Sequence, residues 1–211
     1  MGERVLVIDT CGEGAGIALA IGAQVVGVAG LAGRMASTEI VGALRGLLEQ
    51  VGWSLGDLDG LGVVSGPGSF TGVRTGLATA KGICEGAGLK LVAVSRLAVL
   101  ERAAGVKSSL AALYAGRGEL YVRNQDTGRE WLEQVETILQ EVRPRQWVVA
   151  EERVAEMLRV LEPEMVPLRV TDALPLILEA LQVGALDAAL VDGNYVRAES
   201  EIYKKAGGVA S

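Results

Sequence analysis

Short apolar runs of strand length, bounded by glycine or by amphipathic stretches, constrain the fold of this 211-residue chain more than any other feature. Three such runs, at 4–10, 16–22 and 24–30, follow one another too closely for a helix to fit between them. From residue 37 onward, helical periodicity alternates with further apolar runs. Adjacent strands with short turns pair antiparallel, whereas strands separated by a helix pair in parallel. The first half therefore predicts the order βββαβαβα, an α/β arrangement.

Helix and strand boundaries in this half follow from periodicity and from serines suited to cap helix N-termini. We predict helices over 37–52, capped by Ser37, over 70–85, capped by Ser69, and over 96–104, and strands over 58–64 and 90–95.

The second half repeats the order of helices and strands of the first half in a shortened form, without repeating its residues. We predict two strands with a glycine turn within 109–125, helices over 135–143, 153–162 and 173–184, and strands over 146–151 and 166–170. A boundary near 105–108 gives two related halves, 1–106 and 107–211, with a cleft between them.

Residues 15–33, AGIALAIGAQVVGVAGLAG, approach the length of a membrane span. Eleven of these nineteen residues are Ala or Gly, which weakens the drive to insert into a bilayer. Because Gly22, Ala23 and Gln24 suit a turn between two strands, we favour a hairpin over a membrane helix.

The chain contains no histidine, which removes the most frequent metal ligand and general base among side chains. A Ser-His-Asp or Cys-His centre cannot be built, although carboxylate chemistry stays open. The net charge is −6 and no Lys/Arg cluster is present, so we expect no direct binding to nucleic acid. Two cysteines without CxxC spacing, and no visible signal peptide, favour a cytoplasmic location.

The stretch 65–82, SGPGSFTGVRTGLATAKG, places glycines inside a helix, where each costs about 1 kcal/mol relative to alanine. One face of this helix is predicted to be buried: Gly72, Val73, Gly76, Leu77, Ala80, Ile83 and Cys84. The opposite side carries a seam of small residues with charges on its flank: Thr71, Thr75, Ala78 and Gly82, with Arg74 and Lys81. The preceding helix has a similar outer stripe: Thr38, Gly42, Arg45 and Glu49.

Two explanations of the glycines are open. Small residues let a second helix backbone approach closely, so the two helices could pair with two from another subunit in a four-helix interface. Alternatively, the glycines only let the helix lie close to its own sheet. The segment GPGS also has two explanations. It suits either ordinary helix capping or the binding of an anion at the helix N-terminus.

Three segments together, VIDT (7–10), SGPGSFTGVRTGLATAKG (65–82) and NYVRAE (194–199), resemble the bacterial TsaB family, also called YeaZ. The resemblance implies the actin-like, sugar-kinase-like ATPase fold, built from two ribonuclease-H-like halves of which the second is degenerate. It also implies a role in forming N6-threonylcarbamoyladenosine at position 37 of tRNAs that read ANN codons.

Members of this family are regarded as non-catalytic subunits that bind the metal-holding catalytic subunit TsaD. The resemblance therefore implies a TsaD-like partner, a TsaE-like ATPase, a homodimer when the chain is isolated, and only indirect contact with tRNA. It places the interface on the helices at 37–51 and 70–85. It implies no cofactor for this chain alone and leaves ATP or ADP open at the interface of the assembled complex.

Two departures from the family pattern bear on these expectations. The segment YAGRGELY (114–121) lacks the acidic residue of a DARMGEVY-like segment, and RMASTE (34–39) lacks the histidine of an RHSE-like one. The first weakens the case for nucleotide chemistry at Asp9, Thr10 and Cys11, which form either a structural hairpin or a vestigial phosphate loop. A small ATPase or kinase of the same fold, with Asp9 directing Mg²⁺, is the alternative function. A protease is a third option.

Overall fold

The computed structural model describes residues 2–31, 36–140, 145–184, 186, 191–194 and 196. These residues form two five-stranded sheets. Each sheet begins with three antiparallel strands and is extended by parallel strands on the far side of its first strand.

The first sheet has the order β3-β2-β1-β4-β5. Its strands are β1 (Arg4–Asp9), β2 (Gly16–Ile21), β3 (Gln24–Gly30), β4 (Gly60–Val64) and β5 (Lys90–Val94). The hairpin of β2 and β3 turns at Gly22, whose φ of +54° favours glycine. The apolar stretch 15–33 thus contains a hairpin, as predicted, and among the described residues no helix has the length and apolar character needed to cross a bilayer.

The second sheet repeats this topology with the order β8-β7-β6-β9-β10. Its strands are β6 (Leu110–Gly116), β7 (Glu119–Asn124), β8 (Glu130–Gln134), β9 (Trp147–Val149) and β10 (Glu164–Met165). The two halves therefore share the βββαβαβα order, and the predicted actin-like, ribonuclease-H-like fold is confirmed.

Two strand predictions in the second half are wrong. Strand β8 was not predicted, because three of its five residues, EWLEQ, are polar and no apolar run marks it. The strand predicted over 166–170 is instead the two-residue β10 at 164–165. The Val166 N–H still bonds to the Val149 carbonyl, but Pro167 has no N–H and cannot continue the ladder.

The helices are α1 (Ala36–Val51), α2 (Phe70–Ala87), α3 (Arg96–Ala104), α4 (Val135–Gln140), α5 (Glu152–Met157) and α6 (Leu174–Val183). Ser69 caps α2 as predicted, whereas the side chain of Ser37 lies outside the described residues. The helix predicted over 153–162 ends at Met157 and is followed by a 3-10 turn at Arg159–Leu161. Residues 141–143 of the helix predicted over 135–143 lie outside the described ranges.

Helices α1 and α2 contact each other and cover one face of the first sheet, while α6 packs against β4 and β5. A Cβ at Gly62 would overlap Ile177 of α6, so glycine in β4 lets this helix lie close. Helix α3, from the first half, contacts the second sheet at β6 and β9. The last helix of each half thus packs against the sheet of the other half, an exchange that the sequence does not reveal.

Candidate functional site

The outer faces of α1 and α2 form one exposed surface, named here the α1–α2 face. Its helices bury their opposite sides in the main core through Ile40, Leu44, Val73, Leu77 and Ala80, among others. All ten residues predicted for a partner interface lie on this surface: Thr38, Gly42, Arg45, Glu49, Thr71, Arg74, Thr75, Ala78, Lys81 and Gly82. Thr75 and Lys81 are half-buried and the other eight are exposed.

Glycines inside the two helices fall into two groups, which differ in what a Cβ atom at each position would contact. A Cβ at Gly72 would overlap the Thr10 carbonyl, and one at Gly76 would overlap the Thr10 hydroxyl. These two glycines therefore let α2 lie against β1. A Cβ at any glycine of the second group would meet no heavy atom within 4 Å: Gly42, Gly46, Gly82 and Gly86. Packing within the described chain gives no reason for these four.

Two apolar side chains add to the α1–α2 face and were missed by the sequence analysis. Val41 is 67% exposed, and Phe70 is 42% exposed with the Arg74 guanidinium 5.2 Å from its ring centroid. Val41 lies outside the buried stripe of α1, and Phe70 is the only phenylalanine in the chain. Both could have been found as apolar residues that the predicted core does not use.

The second candidate site is a cleft of about 790 Å³ between the two halves. Residues from both halves line it, including Cys11, Gly12, Ser69, Arg96, Tyr114 and Glu151. Asp9 and Thr10 lie directly behind this lining and are buried.

Asp9, Thr10 and Cys11, for which a structural hairpin and a vestigial phosphate loop are the two alternatives, make hydrogen bonds within the chain. The Thr10 hydroxyl donates to the Gly72 carbonyl at 2.6 Å, and the Cys11 N–H donates to Asp9 Oδ1 at 2.8 Å. At the start of α2, the Ser69 N–H donates to the Cys11 carbonyl at 2.8 Å and Ser69 Oγ accepts from the Gly72 N–H. Ser69 therefore caps α2, and the Ser69 and Gly72 N–H groups both bond within the chain.

Arg96, which the sequence analysis did not select, lies across the mouth of this loop. A Cβ at Gly12 would overlap its guanidinium, and its Nη1 lies 3.1 Å from Glu151 Oε1 in an ion pair that joins the two halves. The other Glu151 oxygen accepts the Tyr114 N–H at 3.2 Å. A carboxylate on this side of the cleft thus comes from Glu151, which the Tyr114 backbone contacts.

The position of Arg96 along the chain gave a weak indication that it has a special role. It directly follows the cap Ser95 and is the first residue of α3, where the helix dipole disfavours a cation. Its side chain is only 3% exposed, and its Nε has no hydrogen-bond partner among the described residues. Arg96 thus lies against Gly12 of this loop, and its charge is paired with Glu151 within the chain.

Burial governs the ionisation of the loop residues. Burial raises the pKa of the Asp9 carboxyl, opposed by the positive charge of Arg96 and by the hydrogen bond from the Cys11 N–H. Burial, with the nearby Asp9 carboxylate, raises the pKa of the Cys11 thiol well above its usual range. Cys11 is therefore a neutral thiol whose Sγ lies 3.1 Å from the Val64 carbonyl, an arrangement that suits packing better than nucleophilic chemistry.

The structure also brings Asn194, the first residue of the NYVRAE segment, to the glycine-rich loop. The Asn194 N–H donates to the Ser65 carbonyl at 2.7 Å, and Asn194 Nδ2 donates to Glu130 Oε2 at 2.6 Å. The other Glu130 oxygen accepts the Ser95 hydroxyl at 2.5 Å. Asn194 thus joins the ends of the VIDT and glycine-rich segments at one end of the first sheet. Tyr195 and residues 197–199 lie outside the described part of the chain.

Comparisons with known proteins place these features in context. Residues 28–145 match the family described as TsaD: tRNA N6-adenosine threonylcarbamoyltransferase. The TsaB protein of Escherichia coli, described as a tRNA threonylcarbamoyladenosine biosynthesis protein, is 37% identical over 122 residues, which are 56% of this chain and 53% of that protein. The corresponding protein of Haemophilus influenzae is 32% identical over 121 residues, 56% of this chain and 51% of that protein. These matches span about half the length of the curated relatives.

A solved structure from Pseudomonas aeruginosa, described as having similarity to peptidase YEAZ, superposes with a TM-score of 0.74. It is 23% identical to this chain, and the match covers 93% of this chain and all of that one. A second structure, YeaZ from the same organism, gives a TM-score of 0.72 at 22% identity, over 92% of this chain and all of that one. At this level of identity, the similarity supports the fold alone.

Proposed function

Because this chain belongs to the TsaD family and resembles its TsaB (YeaZ) relatives, we propose that it is an accessory subunit in tRNA threonylcarbamoyladenosine formation. In this proposal the chain is not itself a catalyst. It binds a TsaD-like catalytic subunit through the α1–α2 face and stabilises that subunit in its active arrangement.

The observation that carries the proposal is the set of four glycines on α1 and α2 that face open space. Each costs about 1 kcal/mol in helix propensity, and packing within the described chain does not offset this cost. Close approach of a second pair of helices would offset it through dispersion contacts, and would cover the exposed Val41 and Phe70. The isolated chain should use the same surface to form a homodimer, which a TsaD-like partner would replace.

The absence of histidine and the state of the cleft support a non-catalytic role. No histidine is available as a metal ligand or general base, and the Arg96–Glu151 ion pair occupies the mouth of the loop that would approach a nucleotide. In this proposal any ATP or ADP binds with a TsaE-like ATPase at the interface of the assembled complex. tRNA meets the catalytic subunit and touches this chain only indirectly, in the cytoplasm.

A reconstituted modification reaction tests the proposal directly. A TsaD-like subunit, a TsaE-like ATPase, threonylcarbamoyl-adenylate and tRNA should yield little modified tRNA unless this chain is added. The chain alone, without the TsaD-like subunit, should yield none. Full modification in its absence would contradict the proposed role, and co-purification with the TsaD-like subunit shows whether the two proteins bind.

Replacing Asp9 with Asn separates the accessory role from the alternative, a small ATPase or kinase that uses Asp9 to direct Mg²⁺. Modification by the assembled complex should stay within a few fold of wild type, because no metal or proton step passes through this chain. A loss of about 10³-fold with the complex intact would mean about 4 kcal/mol of transition-state stabilisation and would favour the enzyme. Calorimetry should likewise show no Mg-ATP binding tighter than about 10 μM.

The same substitution has a predicted effect on stability that follows from the raised pKa of Asp9. A carboxyl whose pKa is raised by folding stabilises the fold most below its ordinary pKa of 3.8, and this contribution is lost as the pH rises through the raised value. The charged form is therefore the costly one at pH 7. The Asn side chain keeps an oxygen that accepts the Cys11 N–H. The free energy of unfolding of the Asp9→Asn protein at pH 7, measured by urea denaturation, should therefore equal or exceed that of wild type.

A further inference from the structure

A second cavity, of about 500 Å³, lies on the outer face of the second sheet, away from both sites described above. Four adjacent strands supply its floor, because Trp147, Leu110, Asn124 and Trp131 come from β9, β6, β7 and β8 in that order across the sheet. Ile138 of α4 and Leu161 of the following 3-10 turn are among its walls. The volume falls within the range typical of small-molecule sites.

The apolar part of this cavity suits a planar ring. Two of the chain's three tryptophans line it, and Trp147 is nearly fully buried, which makes this part of the floor rigid. Indole faces bind other aromatic rings in offset or edge-to-face arrangements with energies beyond those of area burial. Trp131 is only partly buried, so one part of its ring system is left to contact a ligand.

The polar rim offers mainly hydrogen-bond donors. Asn124 Oδ1 already accepts the N–H groups of Asp126 and Thr127, at 2.9 and 3.3 Å, so its NH₂ group is left to donate. The Arg129 guanidinium lies 5.8 Å from the Trp131 ring centroid and pairs with no carboxylate among the described residues. A rim of this kind recognises a ligand that accepts hydrogen bonds and carries negative charge.

The remaining charges on the rim do not reverse this preference. Arg145 is a second cation, in an exposed ion pair with Asp126 at 3.5 Å. Glu133 is the one carboxylate among the described lining residues, and its Oε1 accepts the Gln134 N–H at 3.1 Å. We propose that this cavity binds a small planar aromatic anion, with its ring against Trp131 and its acidic group between Arg129 and Asn124.

Two dyes that differ in charge test this assignment: the anion 1-anilinonaphthalene-8-sulfonate and its uncharged analogue N-phenyl-1-naphthylamine. Wild-type protein should bind the sulfonate at one saturable site, measured by fluorescence titration. Arg129→Gln should weaken sulfonate binding about tenfold while changing affinity for the neutral dye less than about twofold, because only the anion uses the guanidinium. Trp131→Leu should weaken the binding of both dyes about tenfold, because both use the ring.

Arg4→Gln is the matched control, because the Arg4 guanidinium also lies over a tryptophan ring, 4.9 Å from the centroid of Trp53, but in the first half of the chain. It should leave both titrations unchanged. Circular dichroism and thermal unfolding of each variant separate a lost site from a lost fold, and Arg129→Gln alters only an exposed side chain. The proposal is overturned if wild type shows no saturable sulfonate binding, if Arg129→Gln weakens both dyes equally, or if Arg4→Gln has the larger effect.

Discussion

Replacing Ala78 with arginine should turn the isolated chain from a dimer into a monomer and weaken its binding to a TsaD-like subunit at least about 100-fold, or about 2.7 kcal/mol. Ala78 is exposed in the middle of the small-residue seam of α2, between Thr75 and Gly82. A long charged side chain there would hold two helix backbones apart and would have to be desolvated in the interface. Sedimentation equilibrium and a binding titration with the partner measure the two effects.

The Ala78→Arg chain should still fold, because an exposed helix position tolerates such a change within about 0.5 kcal/mol once the lost stabilisation by dimer formation is taken into account. Val183→Arg is the control with the same change of charge, at a residue of α6 that is 92% exposed and far from the seam in sequence. It should leave both association constants unchanged. If Ala78→Arg stays dimeric and binds the partner normally, the α1–α2 face is not the interface.

Gly82→Ala provides a milder variant whose effects on folding and association should have opposite signs. Its methyl group would enter open space in the isolated chain, where alanine stabilises a helix by up to about 1 kcal/mol relative to glycine. The same methyl group would separate the paired helices and weaken the dimer. A variant more stable as a monomer yet poorer at association would indicate that the glycine serves a partner.

Replacing Arg96 with methionine should lower the free energy of unfolding by about 3 kcal/mol, the lower end of the cost of removing one partner from a buried ion pair. The lower end applies because the Glu151 side chain is 21% exposed and water can partly compensate for the loss. The substitution also leaves the buried Asp9 carboxylate without its nearby cation. Urea denaturation followed by circular dichroism measures the change.

Arg102→Met is the matched control for this prediction. Arg102 lies on the same helix and pairs with Glu179 of α6, but both side chains are about half exposed. Exposed pairs contribute roughly 0 to 1 kcal/mol, so this variant should differ little from wild type. If the Arg96 and Arg102 variants lose similar stability, the ion pair across the cleft is no stronger than a surface contact.

Local signals in the sequence predicted most of the fold. The Ser69 cap and the 3.6-residue periodicity defined α2 to within two residues of its observed end, and the glycine turn defined the hairpin of β2 and β3. Where the apolar signal was weak, prediction failed: β8 is mostly polar, and β10 is too short to leave a pattern. These strands form because their neighbours in the sheet offer backbone partners, which is a tertiary effect.

The sites were predictable to different degrees for a similar reason. The α1–α2 face follows from a helical wheel, since exposure on one helix depends on the spacing of its own residues. The ion pair of Arg96 and Glu151 joins residues 55 positions apart, from different halves. Periodicity carries no information about such a contact. The cavity lined by Trp131 and Trp147 was not predicted, because its floor includes β8, a strand that was not predicted either.

The exchange of terminal helices between the two halves has a consequence for the order in which the protein can be made. The face of β4 that carries Gly62 is covered by Ile177 of α6, and Leu174, where α6 begins, follows Val64 by 110 positions. Until α6 has been synthesised, this face of the first sheet therefore lacks its cover. A ribosome that stalls before α6 emerges leaves an incomplete core, which is open to chaperones and proteases.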